Sequence, residues 1–162
     1  MKWTKFTNLI LACLVLTSGI LLKKKEKQIA RMEEQEEKIM LYYRMLNMWL
    51  EMKQKGKSAV TFLQEKKIKR IAIYGMKELG ERIYEEVKNT EIEVVCIIDK
   101  KPDSVFGNFK VISPDQEIPD VDAIIVTADY YYWDIRRKLE KKVHCPVYSL
   151  NGILGNSFGR NL

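Results

Sequence analysis

The residues best placed for chemistry lie mid-chain, where Ile71-Ala72-Ile73-Tyr74 runs as a buried-type strand straight into Gly75. Gly80 follows five residues later, inside the start of an amphipathic helix, and a second apolar run, Val94-Val95-Cys96-Ile97-Ile98, ends on Asp99. This order supplies a tight turn, backbone N–H groups at a helix N-terminus for phosphate, and an acid for ribose hydroxyls. It is the opening of a dinucleotide-binding βαβ unit. Lys77 stands where the middle glycine of that pattern belongs. A lysine there either blocks the close approach of a pyrophosphate or replaces it with a charge. The ligand candidates are therefore Gly75, Lys77, Gly80 and Asp99, and the pattern points to a nucleotide-type fold, NAD(P) among its ligands, more firmly than to a particular cofactor.

Other reactive groups are sparse. Tyr84-Glu85-Glu86-Val87-Lys88 has the spacing of a Tyr-x-x-x-Lys acid/base pair, but it falls on the helix directly after the glycine turn, far from where a nicotinamide would lie. Chance accounts for it better. Tyr130-Tyr131-Tyr132-Trp133 follows the fourth strand, at the edge where such folds bind ligands. Those aromatics could stack on a base or sugar, start a buried helix, or form an interface. His144 is the single histidine, beside Cys145, and no second pair of ligands completes a metal site. Cys13, Cys96 and Cys145 show no paired spacing, which predicts a reducing compartment without disulfides. No nucleophile has a neighbouring base. The sequence thus predicts no catalytic residue and no metal.

The elements that must position these residues alternate. A helix from about Leu79 to Lys88 carries Leu79, Ile83 and Val87 on one stripe, and Ile92–Ile98 reads as a buried parallel strand. Phe109–Ile112 reads as a short third strand, and Ser113-Pro114-Asp115 as the cap and first turn of a helix. Ala123–Thr127 forms the fourth strand, Tyr130–Val143 a helix, and Pro146–Ser149 the fifth strand. The fold class is α/β, a small Rossmann-like parallel sheet ordered 3-2-1-4-5 over residues 68–150, with a loop-like tail at 151–162.

Charge divides the 162-residue chain. Residues 1–70 hold 16 Lys/Arg against 7 Asp/Glu, while residues 71–162 hold 12 against 15. A nucleic-acid binder is more often basic across its folded domain, so nucleic acid is not expected as a partner. The basic half opens with an uncharged stretch, Phe6 to Leu22, flanked by Lys2, Lys5 and the run Lys23-Lys24-Lys25. Seventeen helical residues cover about 25 Å. No small-residue cleavage site follows, and apolar sequence continues beyond Cys13. The prediction is an uncleaved single span over residues 1–25 in the cell membrane of a bacterium, with the rest of the chain facing the cytoplasm. Residues 26–67 form a helical arm. Ile29, Met32, Ile39, Tyr43, Leu46 and Leu50 recur at three- and four-residue steps, a coiled-coil-like seam that predicts a homodimer. The section Leu41–Leu50 is apolar on more than one side, so it must be covered by the domain, a second copy or another protein.

Ile71–Gly80, the strand ending on Asp99, the Ser113-Pro114 entry and Asp122-Ala123-Ile124-Ile125-Val126-Thr127 together resemble the Rossmann-like modules of bacterial surface-polysaccharide biosynthesis. Such modules form the N-terminal part of epimerase/dehydratase-like proteins and of sugar acetyltransferases. Residues 42–57 resemble a helix that precedes such modules. The resemblance implies a nucleotide or nucleotide-sugar contact near Gly75–Gly80 and Asp99, and membrane-associated glycan-synthesis proteins as partners. Two functions from different classes follow. The first is a membrane-tethered, non-catalytic binding module; the second is an adaptor that holds a membrane complex together without a ligand. A minimal NAD(P)-dependent epimerase or dehydratase is the weaker third.

Overall fold

The computed structural model describes the backbone of residues 2–101 and 109–156 and the side chains of residues 17–101 and 109–155. The chain divides into two compact units, Met1–Tyr43 and Arg44–Leu162. In element order it contains α1 (Lys2–Gln54), α2 (Ala59–Glu65), β1 (Arg70–Tyr74), α3 (Glu78–Val87), β2 (Glu93–Ile98), β3 (Val111–Ile112), β4 (Ala123–Val126), α4 (Tyr132–Leu139), β5 (Val147–Ser149) and α5 (Leu150–Asn156).

Within Met1–Tyr43, α1 exposes Ile20, Leu21, Leu22, Ile29, Met32 and Ile39, and Lys38 pairs with Glu34 at 2.6 Å. Among the described residues no helix is long and apolar enough to cross a membrane. This overturns the expected anchor, and with it the single-pass membrane location and the orientation built on it. The physical reason is length and continuity. The strictly apolar run from Leu9 to Leu22 covers only about 21 Å as a helix, against a hydrocarbon core of about 30 Å. At Lys23 it passes without a break into a charged helix that continues to Gln54. Residues 6–16 of the expected span lie outside the described side chains.

Within Arg44–Leu162, five parallel strands make one sheet in the order β3-β2-β1-β4-β5, as the alternation of apolar runs predicts. The central strands β1 and β4 are buried on both faces, which is why they read as uninterrupted apolar sequence. One face presents Ala72, Tyr74, Cys96, Ile98, Ile124 and Val126 to Ile135 and Leu139 of α4. Residues alternating with these, Ile71, Ile73, Ile97 and Ile125, are fully buried on the other face. Leu79, Ile83 and Val87 of α3 are buried as the stripe predicts, and Phe62 of α2 meets Tyr148 of β5 edge-on at 5.3 Å.

The end of α1 folds with the sheet. Met45, Trp49 and Met52 are buried, whereas Leu46 and Leu50 stay exposed, Leu50 at 57 %. The helix stops where the N–H groups of Gly56 and Lys57 bond back to the carbonyls of Lys53 and Met52. Glu86 of α3 fixes this end: its carboxylate accepts from Trp49 Nε1 at 2.5 Å and from the Ala59 N–H at 3.0 Å, and pairs with Lys53 Nζ at 2.7 Å. Two connections differ from expectation. Ser113-Pro114-Asp115 makes a turn and no helix, and the expected tail opens as α5, with Ile153 and Leu154 buried and the Ser149 hydroxyl accepting the Gly152 N–H.

Candidate functional site

Where β1 ends, Gly75 turns the chain with φ +87°, a conformation that residues carrying a Cβ rarely adopt. Its N–H donates to the Ile98 carbonyl at 2.9 Å, and its own carbonyl accepts from the Thr127 hydroxyl at 2.7 Å. The same hydroxyl lies 3.1 Å from the Tyr74 carbonyl, so Thr127 fastens the end of β4 to the glycine turn. Gly80 lies directly on this turn. A Cβ there would sit 2.3 Å from the Gly75 carbonyl oxygen, so only a glycine lets α3 approach this closely. One glycine thus turns the chain and the other admits the helix.

Lys77 is the residue preceding the first turn of α3. Its backbone is extended (φ −83°, ψ −164°), its side chain is exposed, and it makes no side-chain bond to the helix N-terminus. Lys77 therefore neither caps the first-turn N–H groups nor buries them. Glu78 and Glu81 in that turn complement the helix dipole and would repel a phosphate placed against them. Asp99, at the end of β2, reaches the turn: Oδ2 accepts from the Met76 N–H at 3.5 Å and Oδ1 from the Lys101 N–H at 3.0 Å. All four predicted residues thus meet at the C-terminal edge of β1 and β2, beside the point where strand order reverses.

Two further residues complete this edge. Thr127 is the buried polar residue of the switch point; its only signal in the sequence is a hydroxyl at the end of an apolar strand. Asp129 lies two residues further. Its Oδ1 accepts from the Asn151 N–H at 3.1 Å, and its Oδ2 is buried with no hydrogen-bond partner among the described residues. Burial pushes its carboxyl up to about 7, against the opposing pull of hydrogen bonds from Asn151, Ser149 and Leu150. Tyr130, Tyr131 and Trp133 follow and are exposed, Trp133 at 69 %. The Arg136 guanidinium lies 5.6 Å from the Trp133 ring.

The remaining candidates fall elsewhere. Tyr84 packs edge-on against Phe109 at 4.7 Å, and Lys88 pairs with Glu85, so that pair serves α3 locally. His144 is exposed, and burial holds the thiols of Cys96 and Cys145 above their ordinary range.

Comparison with protein-family models gives a match to the model described as C2185-like, N-terminal, over residues 67–148. No curated protein and no solved structure gives a match. The matched span runs from the residue before Ile68 into β5, taking in β1 to β4 whole together with Gly75, Gly80, Asp99 and Thr127. It covers half of the chain, and the chain belongs to the C2185-like, N-terminal family.

Proposed function

We propose that this chain is a non-catalytic binding module whose glycine turn holds a nucleotide or nucleotide-sugar. The observation that carries the reading is the uncapped N-terminus of α3, set on a turn tight enough to need both glycines, with the Asp99 carboxylate beside it. A helix start without a side-chain cap is suited to a phosphate, and a carboxylate at the end of the neighbouring strand is suited to ribose hydroxyls. Lys77 is exposed and supplies a cation at the same place, offsetting Glu78 and Glu81. NAD(P) and the nucleotide-sugars of surface-polysaccharide biosynthesis both fit this chemistry, the latter being the class that the sequence resemblance implies. An adaptor role is the second reading. It is favoured by the exposed apolar residues of α1, Ile29, Met32, Ile39, Tyr43, Leu46 and Leu50, whose spacing suits a second copy or a glycan-synthesis protein.

The test is a thermal-shift and calorimetric series on the full chain with NAD, NADP and uridine- and guanosine-diphosphate sugars. Asp99→Ala should weaken ribose-containing ligands about tenfold while leaving folding intact. Lys77→Gly should weaken binding if the lysine contacts phosphate and strengthen dinucleotide binding if it obstructs. A wild-type chain that binds none of these ligands removes the nucleotide reading and leaves the adaptor.

A further inference from the structure

The β3–β4 connection leaves one face of the sheet thinly covered. In an α/β sheet the crossover between parallel strands is usually a helix. Here it is a turn at Pro114 and Asp115 followed by extended chain, so α4 alone packs over this part of the sheet as a helix. Between α4 and the turn lies a cleft of about 220 Å³. Its buried lining is Tyr74, Ile135 and Leu139; Pro114 closes one side, and Lys138, Lys141, Lys142 and Asp115 are its exposed members.

Size and charge limit what this cleft can take. Cavities of about 150 Å³ hold a benzene ring, and pockets for drug-sized ligands begin at about 300 Å³. The cleft is of a size to seat one substituted ring. Three lysines face one carboxylate, and Lys142 is already engaged, bonding to the Pro114 carbonyl at 2.8 Å and lying 3.9 Å from Asp115. Lys138 and Lys141 have no ion-pair partner among the described residues. The Tyr74 phenol is kept protonated by its burial and by the carboxylates of Asp99 and Asp115, so it is available as a donor. We propose that the cleft is a second ligand site, for a small aromatic acid whose ring lies on Tyr74, Ile135 and Leu139 and whose carboxylate meets Lys138 and Lys141. None of Gly75, Lys77, Gly80 and Asp99 lines this cleft, and the proposal does not rest on the nucleotide reading.

Benzoate, benzamide and acetate are suitable probes, since they separate ring from charge. Saturation-transfer NMR on the full chain should show benzoate in contact with protein, with benzamide and acetate each bound several-fold more weakly. The double variant Lys138→Glu/Lys141→Glu changes only exposed side chains and should lower benzoate affinity about tenfold at unchanged melting temperature. Ile135→Trp should fill the cleft and abolish the transfer signal. Absence of benzoate contact in the wild-type chain, equal binding of benzamide, or undiminished affinity in the charge-reversed variant would each overturn the proposal.

Discussion

Gly80→Ala isolates the contact on which the glycine turn depends. The new Cβ would lie 2.3 Å from the Gly75 carbonyl oxygen, 3.2 Å from its carbon and 3.3 Å from Met76 Sδ. The sulfur can move aside, but the oxygen belongs to the backbone. It must retreat by about 1 Å to reach an ordinary packing distance. It is also held in place, because it accepts the Thr127 hydroxyl at 2.7 Å while the Gly75 N–H is bonded to Ile98 at 2.9 Å. Three terms set the outcome. Alanine gains about 1 kcal/mol over glycine within a helix. Overpacking costs about 1–3 kcal/mol, and weakening a turn hydrogen bond adds about 1 kcal/mol. The net expectation is a loss of about 1–3 kcal/mol, read from urea unfolding followed by circular dichroism. Gly155→Ala provides the control, since among the described residues its Cβ would meet only Met48 Cε, at 3.6 Å; that variant should be neutral or slightly stabilised. If Gly80→Ala is as stable as Gly155→Ala, the close approach of α3 to the turn is not what Gly80 is for.

Glu86→Ala strips the partner from Trp49 Nε1 and the Ala59 N–H and should cost about 2–4 kcal/mol, with Trp49 fluorescence shifting to the red as the end of α1 loosens; an unchanged urea midpoint would discount the clasp. Asp129 predicts a pH dependence whose sign is fixed by its raised pKa. The folded state binds a proton that the unfolded chain releases near its ordinary pKa of 3.8, so stability should fall as pH rises from about 4 to about 7, by at most about 1.4 kcal/mol per pH unit. Asp129→Asn should flatten that slope, and an identical pH profile in the variant would show that the carboxyl is not the source. Leu46→Asp with Leu50→Asp should convert an oligomer to a monomer in sedimentation velocity if the seam of α1 joins two copies. A wild-type chain that sediments as a monomer would refute self-association.

The sheet was legible because each strand carries its own signal. Ile71–Tyr74 and Ala123–Val126 are uninterrupted apolar runs, and the order of strands follows from right-handed crossovers. The glycine turn and Asp99 were legible for the same reason, being fixed by local spacing. The missing crossover helix has a local cause that pattern-reading passed over. Gln116 Oε1 accepts the Ser113 N–H at 2.8 Å, the reciprocal bond of a helix cap, but Pro119 follows within the would-be second turn and cannot donate the bond that a helix needs. Which side of Leu41–Leu50 would be buried was not legible, because Trp49 and Leu50 are equally apolar. Only tertiary packing separates them, at 6 % and 57 % exposure. Asp129 was likewise unreadable, since the peptide groups around it come from the β5–α5 junction more than 20 residues away. The anchor failed through the opposite error: an apolar window was judged without the charged helix that continues it.

The clasp at Glu86 also bears on where the chain can be cut. A fragment beginning at Lys67, where the family match starts, would keep every strand yet lose Trp49, Lys53 and Ala59 together. It would leave a carboxylate, only 8 % exposed in the whole chain, without those partners, and would remove the buried side chains of Met45, Met52, Phe62 and Leu63 as well. Beginning at Lys53 restores the ion pair but not the indole. The compact unit that holds the sheet starts at Arg44, so truncating the gene at the homology boundary removes Met45, Trp49, Met52, Phe62 and Leu63 from its core and leaves α3 and α5 without those neighbours in the unit.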